Sequence, residues 1–152
     1  MLKTKTAVFV SGGGTNFEAL INAQENGKIP HGEIVLMVSS SRTAYALKRA
    51  ENHGIKSVVC SKKELGSQES FEEEILKNLE ENDIQLIVLA GFMSILSKEF
   101  TKKYENRIIN IHPSLIPSFC GEGFYGLHVH EAALKKGVKV TGATVQIVNE
   151  IP

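Results

Sequence analysis

Thr6-Ala7-Val8-Phe9-Val10-Ser11 is a short, nearly continuous apolar run that stops at three glycines, the pattern of a strand buried on both faces. Beyond Gly14 the apolar positions Phe17, Leu20 and Ile21 fall at helical spacing, so strand, turn and helix follow one another. The unit recurs. Ile34-Val35-Leu36-Met37-Val38 predicts a second strand, residues 44–52 a helix closed by Gly54, and Lys56-Ser57-Val58-Val59-Cys60 a third strand. Phe71, Ile75 and Leu79 mark one face of a further helix, with the charged stretch 69–81 as its solvated side, and Leu86-Ile87-Val88-Leu89-Ala90 is a fourth strand. Arg107-Ile108-Ile109-Asn110-Ile111 predicts a fifth strand, residues 112–126 a loop rich in Pro and Gly, residues 129–136 a helix, and residues 140–148 a last, alternating strand. Such alternation predicts an α/β fold with a parallel sheet covered by helices on both faces. Ligands are then sought just beyond the carboxyl ends of the strands. No linker, repeat or low-complexity tract divides the chain, so residues 1–152 read as a single domain.

Composition narrows the partners. Lys+Arg and Asp+Glu are 17 each, which leaves no basic face for nucleic acid or anionic lipid. No apolar segment approaches membrane-spanning length, and the stretch Met1-Leu2-Lys3-Thr4-Lys5-Thr6 lacks the apolar core of a signal peptide. Cys60 and Cys120 have neither metal-ligand nor redox-motif spacing. The expectation is a cytoplasmic small-molecule enzyme that needs no nucleic acid, membrane or metal.

Three stretches carry candidate chemistry. Ser11-Gly12-Gly13-Gly14-Thr15-Asn16 joins the first strand to a helix, where glycines let backbone approach a ligand and the helix N-terminus favours a phosphate. Phe17 stands where a dinucleotide fingerprint has its third glycine, and no Gly-Lys-Ser/Thr ending follows, which disfavours NAD and ATP. The bland reading is a connection capped by Thr15 or Asn16. Asn110 and His112 point to one side of the fifth strand, because side chains alternate with period two. An amide N–H and an imidazolium there suit acyl-type transfer, donating to a carbonyl oxygen as it gains charge. Gly91-Phe92-Met93-Ser94-Ile95-Leu96 follows a strand and offers an apolar wall for a flat ring, or core packing alone. His128 and His130 form a His-x-His pair at a helix start, where i and i+2 do not share a face, so a zinc site is disfavoured.

Taken together, Ser11-Gly-Gly-Gly-Thr-Asn16, Leu89-Ala-Gly-Phe-Met-Ser-Ile-Leu96, Asn110-Ile-His-Pro-Ser-Leu-Ile-Pro117 and Gly142-Ala-Thr-Val-Gln-Ile-Val148 resemble, in that order and over essentially the whole chain, the glycinamide ribonucleotide formyltransferases. The resemblance implies a three-layer, Rossmann-like formyltransferase fold with a mostly parallel sheet. It implies transfer of a formyl group from 10-formyltetrahydrofolate, as co-substrate, to the amine of 5-phosphoribosyl-glycinamide in purine biosynthesis. It further implies that Gly14, Thr15 and Asn16 hold the substrate phosphate and that Asn110 and His112 are catalytic. Met93, Ser94, Ile95, Leu96, Asn110, Val148, Asn149 and Glu150 would line the folate site. A homodimer is an assembly the reading leaves open.

Three departures from that pattern stand out. The resemblance implies an aspartate in an Asp-Gly-Gly-like turn beyond Pro152, which supports the histidine's charge, and then a further strand and helix. The chain as written is therefore expected to be a C-terminally truncated, weak or inactive enzyme. Gln68 stands where the resemblance implies a phosphate-binding arginine, and Cys120-Gly-Glu-Gly-Phe-Tyr-Gly126 is longer than the common connection, which would reshape a lid over the substrate. Other readings of the residues are a methionyl-tRNA formyltransferase domain, disfavoured by neutral charge, a formyltetrahydrofolate hydrolase, disfavoured by Pro113, and a domain that binds phosphate and folate without turnover.

Overall fold

The structure is a computed structural model and describes residues 2–149. In chain order its elements are β1 (Thr4–Val10), α1 (Thr15–Glu25), β2 (Gly32–Ser39), α2 (Ala46–Asn52), β3 (Lys56–Val59), α3 (Lys62–Leu65), α4 (Gln68–Glu81), β4 (Leu86–Leu89), α5 (Lys98–Lys103), β5 (Ile108–His112), α6 (Leu127–Lys136) and β6 (Thr144–Ile147). The strands form one sheet in the order β3-β2-β1-β4-β5-β6. The pairs from β3 through β5 are parallel, and β6 lies antiparallel on β5. The chain moves outward from β1 to β3, then returns to the other side of β1 with β4. The strand order therefore reverses between β1 and β4, and the crevice beyond their carboxyl ends is the expected ligand position.

Strand periodicity divides the core into two faces. Ala7, Phe9, Leu36, Val38, Ile87, Leu89 and Ile108 point to one face and meet Phe71, Ile75 and Leu79 of α4 and Phe100 and Tyr104 of α5. Val8, Val10 and Met37 point to the other, against Phe17 and Ile21 of α1 and Ala46 and Ala50 of α2. Phe92, just past β4, stacks on Phe71 at 6.5 Å and meets Phe9 edge-on at 5.2 Å. The loop after β4 is thereby anchored in the first core face, with edge-to-face geometry of the kind aromatic quadrupoles favour.

Four expectations need correction. The last strand begins at Thr144 and not at Val140, because β5 supplies a ladder only as far as the pair His112↔Thr144. Beyond His112 the chain leaves the sheet at Pro113, and residues 138–143 have no strand beside them. α3 and α5 were not anticipated; each is a short helix capped by a serine, Ser61 accepting from Glu64 N and Ser97 from Phe100 N, too short for apolar periodicity to register. The charged face of α4 is not wholly solvated, since Glu72 is 9% exposed. Finally, neither Thr15 nor Asn16 caps α1. The cap is Gly14, with φ 74, and both residues lie inside the helix.

Candidate functional site

β1 ends at Val10, and the next six residues wrap a cavity of about 410 Å³ together with Ala90, Gly91, Met93, Tyr125 and Gly126. Gly14 is required here twice over. Its φ of +74 is a conformation other residues reach at a cost, and a Cβ would stand 2.7 Å from Cβ of Ala46. With glycine as the cap, no side chain occupies the amides of the first turn of α1, which open on this cavity. An amide cluster at a helix N-terminus attracts an anion.

The loop after β4 forms the far wall and is pinned at both ends. Ser11 N donates to Gly91 O at 3.1 Å, Met93 N donates to Ser11 Oγ at 2.8 Å, and the Ser11 and Ser40 hydroxyls share a hydrogen bond of 2.5 Å. At the other end Glu72 accepts from Ser97 N at 2.6 Å, from Ser97 Oγ at 2.5 Å and from Gln68 Nε2 at 2.8 Å, and Gln68 Nε2 also donates to Ile95 O at 2.9 Å. On the outer side of this loop lies a second cavity, about 470 Å³, lined among others by Leu89, Ser94, Ile95, Leu96, Val148 and Asn149. The expected apolar wall is therefore split. Ser94, Ile95 and Leu96 face this second cavity with Val148 and Asn149, whereas Met93 lines the glycine-rich one. Glu150 lies outside the described residues.

Asn110 and His112 share the face of β5 that carries Ile108 into the core. Asn110 is the register partner of Leu89, which lines the second cavity. Its amide is half-buried and, among the described residues, has no hydrogen-bond partner. His112 Nε2 lies 2.9 Å from Phe119 O. A carbonyl only accepts, so Nε2 carries the proton. The loop past His112 is held by Ser114, whose hydroxyl donates to Ser118 O, and by Thr144, which accepts from Ile116 N and donates to Ser114 O at 2.6 Å. β6 thus fixes the loop that holds the histidine ring. His128 and His130 lie in the first turn of α6, both exposed, and among the described residues no group of three His, Cys, Asp or Glu is placed to hold a metal.

Residues 4–151 match the formyl transferase family. The chain belongs to that family. It is 47% identical over 148 residues to the trifunctional purine biosynthetic protein adenosine-3 of Gallus gallus, covering 97% of this chain and 14% of that protein. It is 37% identical over 146 residues to the phosphoribosylglycinamide formyltransferase of Haemophilus influenzae, covering 96% and 66% respectively. The glycinamide ribonucleotide transformylase 1 structure of Geobacillus kaustophilus superposes with a TM-score of 0.88 at 37% identity, over 97% of this chain and 76% of that one. The chain thus spans only part of each relative's length. The three-layer arrangement and mostly parallel sheet implied by the sequence are those of these formyl transferase structures.

Two features of this formyl transferase chain were not legible beforehand. Gln68, which stands where the resemblance implies a phosphate-binding arginine, bonds Glu72 and the Ile95 carbonyl. Its side chain therefore fastens on the 91–97 loop. Tyr125 enters the glycine-rich cavity from the 120–126 loop, 4.9 Å edge-on from the His128 ring. That loop's length is legible in the sequence, but nothing in its spacing says which aromatic turns inward.

Proposed function

We propose that the chain is a formyl-transfer core that moves a formyl group from 10-formyltetrahydrofolate to the amine of 5-phosphoribosyl-glycinamide, a reaction of purine biosynthesis. The observation that carries this reading is one loop, residues 91–97, with a cavity of different character on each side and Asn110 and His112 on the neighbouring strand β5. The glycine-rich cavity suits a phosphate through the amides of Gly14, Thr15 and Asn16. The cavity walled by Leu89, Ile95, Leu96 and Val148 suits a flat ring, with Lys98 as a cation at its rim for an acidic tail. The names of the relatives above support the same substrate.

In this reading the amine attacks the formyl carbon and the carbonyl oxygen gains negative charge. The Asn110 amide and a protonated His112 donate to that oxygen. The carbon's bond to the folate nitrogen then breaks. The proton lost by the amine passes through the imidazole to that nitrogen, so the histidine ends as it began. His112 must exchange its bond to Phe119 O for the reacting atoms, or present Nδ1 to them.

The test follows the absorbance change as 10-formyltetrahydrofolate loses its formyl group, with and without the phosphoribosyl amine. It compares this chain with one continued through the Asp-Gly-Gly-like turn. Turnover that requires the amine, falls roughly 10²–10⁴-fold in His112→Ala and leaves folate binding intact supports the reading. Consumption without the amine indicates hydrolysis. Folate binding with no turnover in either chain indicates a binding domain.

A further inference from the structure

The glycine-rich loop is held from behind by α2, and the two contacts involved are both to its carbonyls. Ala46 N donates to Gly12 O at 3.2 Å, and Arg49 Nε donates to Gly13 O at 2.7 Å. A trans peptide is planar, with the carbonyl of one residue and the N–H of the next pointing in opposite directions. Turning the Gly12 and Gly13 carbonyls onto α2 therefore turns the Gly13 and Gly14 N–H groups away from it. No α2 residue lines the cavity, while all three glycines do, so those amides are directed to the cavity side.

Arg49 is itself tightly held. Its Nη1 is 3.4 Å from Glu18 Oε2, its guanidinium lies 5.0 Å from the Tyr45 ring centroid, and its Cδ packs 3.4 Å from where a Cβ on Gly14 would stand. Glu18 in turn bonds His53 Nε2 at 2.9 Å, and His53 Nδ1 bonds Glu25 at 2.9 Å. A cation–π contact, an ion pair and a charge-assisted hydrogen bond converge on one side chain that never enters the cavity. None of this is needed to close the core, which Ala46 and Ala50 close on the same helix.

We propose that Arg49 is the positioning residue of the phosphate-binding loop: by holding the Gly13 carbonyl it aims the Gly14 amide at the phosphate of the substrate. This rests on the reading of the glycine-rich cavity as the phosphate site. Arg49 acts through the backbone, so its loss weakens the phosphoribosyl substrate and leaves the folate cavity, on the far side of the 91–97 loop, as it is.

Calorimetric titration of the chain with 5-phosphoribosyl-glycinamide, with inorganic phosphate as competitor, and separately with 10-formyltetrahydrofolate tests this in the unaltered chain, Arg49→Met and Arg49→Lys. Lysine keeps the charge but places a methylene where Nε–H stands, so it separates charge from carbonyl orientation. Both variants are expected to bind the phosphoribosyl amine about tenfold or more weakly, the scale of one lost charge-assisted hydrogen bond. Folate affinity should be unchanged, which also shows that the variants are folded. Undiminished binding in Arg49→Met overturns the proposal, and so does full affinity in Arg49→Lys, which would reduce Arg49 to a charge. Parallel loss of both ligands overturns it in favour of a general structural role. An unaltered chain that binds the amine without competition from phosphate refutes the phosphate-site reading itself, a result separate from any effect at Arg49.

Discussion

Glu72→Ala removes the acceptor on which the far end of the 91–97 loop is fastened. Three donors lose an acceptor: Ser97 N–H at 2.6 Å, the Ser97 hydroxyl at 2.5 Å and Gln68 Nε2 at 2.8 Å, of which Gln68 keeps its bond to Ile95 O. Hydrogen bonds of this kind contribute about 1 kcal/mol each net, and a donor left buried costs about 1–3 kcal/mol. Ser97 and Gln68 are only half-buried, so water recovers part of the loss. A destabilisation of roughly 2–3 kcal/mol follows, which for a domain of this size is about 4–12 °C in Tm. Glu72→Gln keeps one acceptor oxygen and sets an NH₂ against at least one donor, so roughly half that effect is expected. The functional consequence is separate. A loop no longer held must be ordered when a ligand enters the second cavity, and 10-formyltetrahydrofolate affinity is expected to fall about tenfold in Glu72→Ala. Thermal denaturation followed by circular dichroism and titration with the folate check the two numbers. A Tm within about 1 °C of the unaltered chain would refute the claim that Glu72 fastens this loop.

The remaining predictions concern the other cavity and the buried groups. Hydrogen bonding to Glu18 and then Glu25 raises the His53 pKa above 6.5, and hydrogen bonding to His53 lowers that of Glu18 below 4.5. The His53 contribution to stability is complete below 6.5 and is lost as pH rises through its raised value, while that of Glu18 is present above 4.5 and lost on acidification through its lowered value. Tm should therefore fall on passing well above 6.5, and the fall attributable to this site should vanish in His53→Gln. Gly14→Ala combines a left-handed φ with a 2.7 Å approach to Ala46 and should cost about 1–2 kcal/mol for the backbone alone, with a larger loss of phosphoribosyl-amine binding than of folate binding. Burial pushes the Cys60 thiol up to about 11, so an alkylating reagent near neutral pH should label Cys120, whose thiol donates to Pro117 O, well before Cys60; mass spectrometry reads the order.

What was legible in the sequence was what repeats over several turns or a whole strand. The five parallel strands and the helices α1, α2, α4 and α6 each carry an apolar pattern long enough to show its period, and the Gly12–Gly14 run ends its strand without ambiguity. Short helices escape such a pattern, although Ser61 and Ser97 each stand three residues before the amide they cap. The start of β6 depends on where its neighbour stops, a tertiary fact that alternation in residues 140–148 does not contain. Glu72 and Arg49 were hidden for a related reason. A charged residue on a helix reads as solvated unless its partner is known, and here the partners are Ser97, 25 residues on, and Gly13, 36 residues back.

These hidden contacts explain how two cavities can be kept in register by so small a core. Ser11 belongs to the glycine-rich loop, yet its N–H and its hydroxyl both bond the loop after β4. That second loop is a wall of both cavities, held at its start by Ser11 and by Phe92 between Phe9 and Phe71, and at its end by Glu72. A group transferred between two bound molecules gains most from a fixed separation, because the cost of bringing them together is met by the scaffold. The separation here is set by one short segment fastened at three points. Loosening the Ser11 end should disturb both ligands, whereas loosening the Glu72 end should disturb the folate alone. A Ser11→Ala variant that weakened only one of the two ligands would show that the cavities are built independently after all.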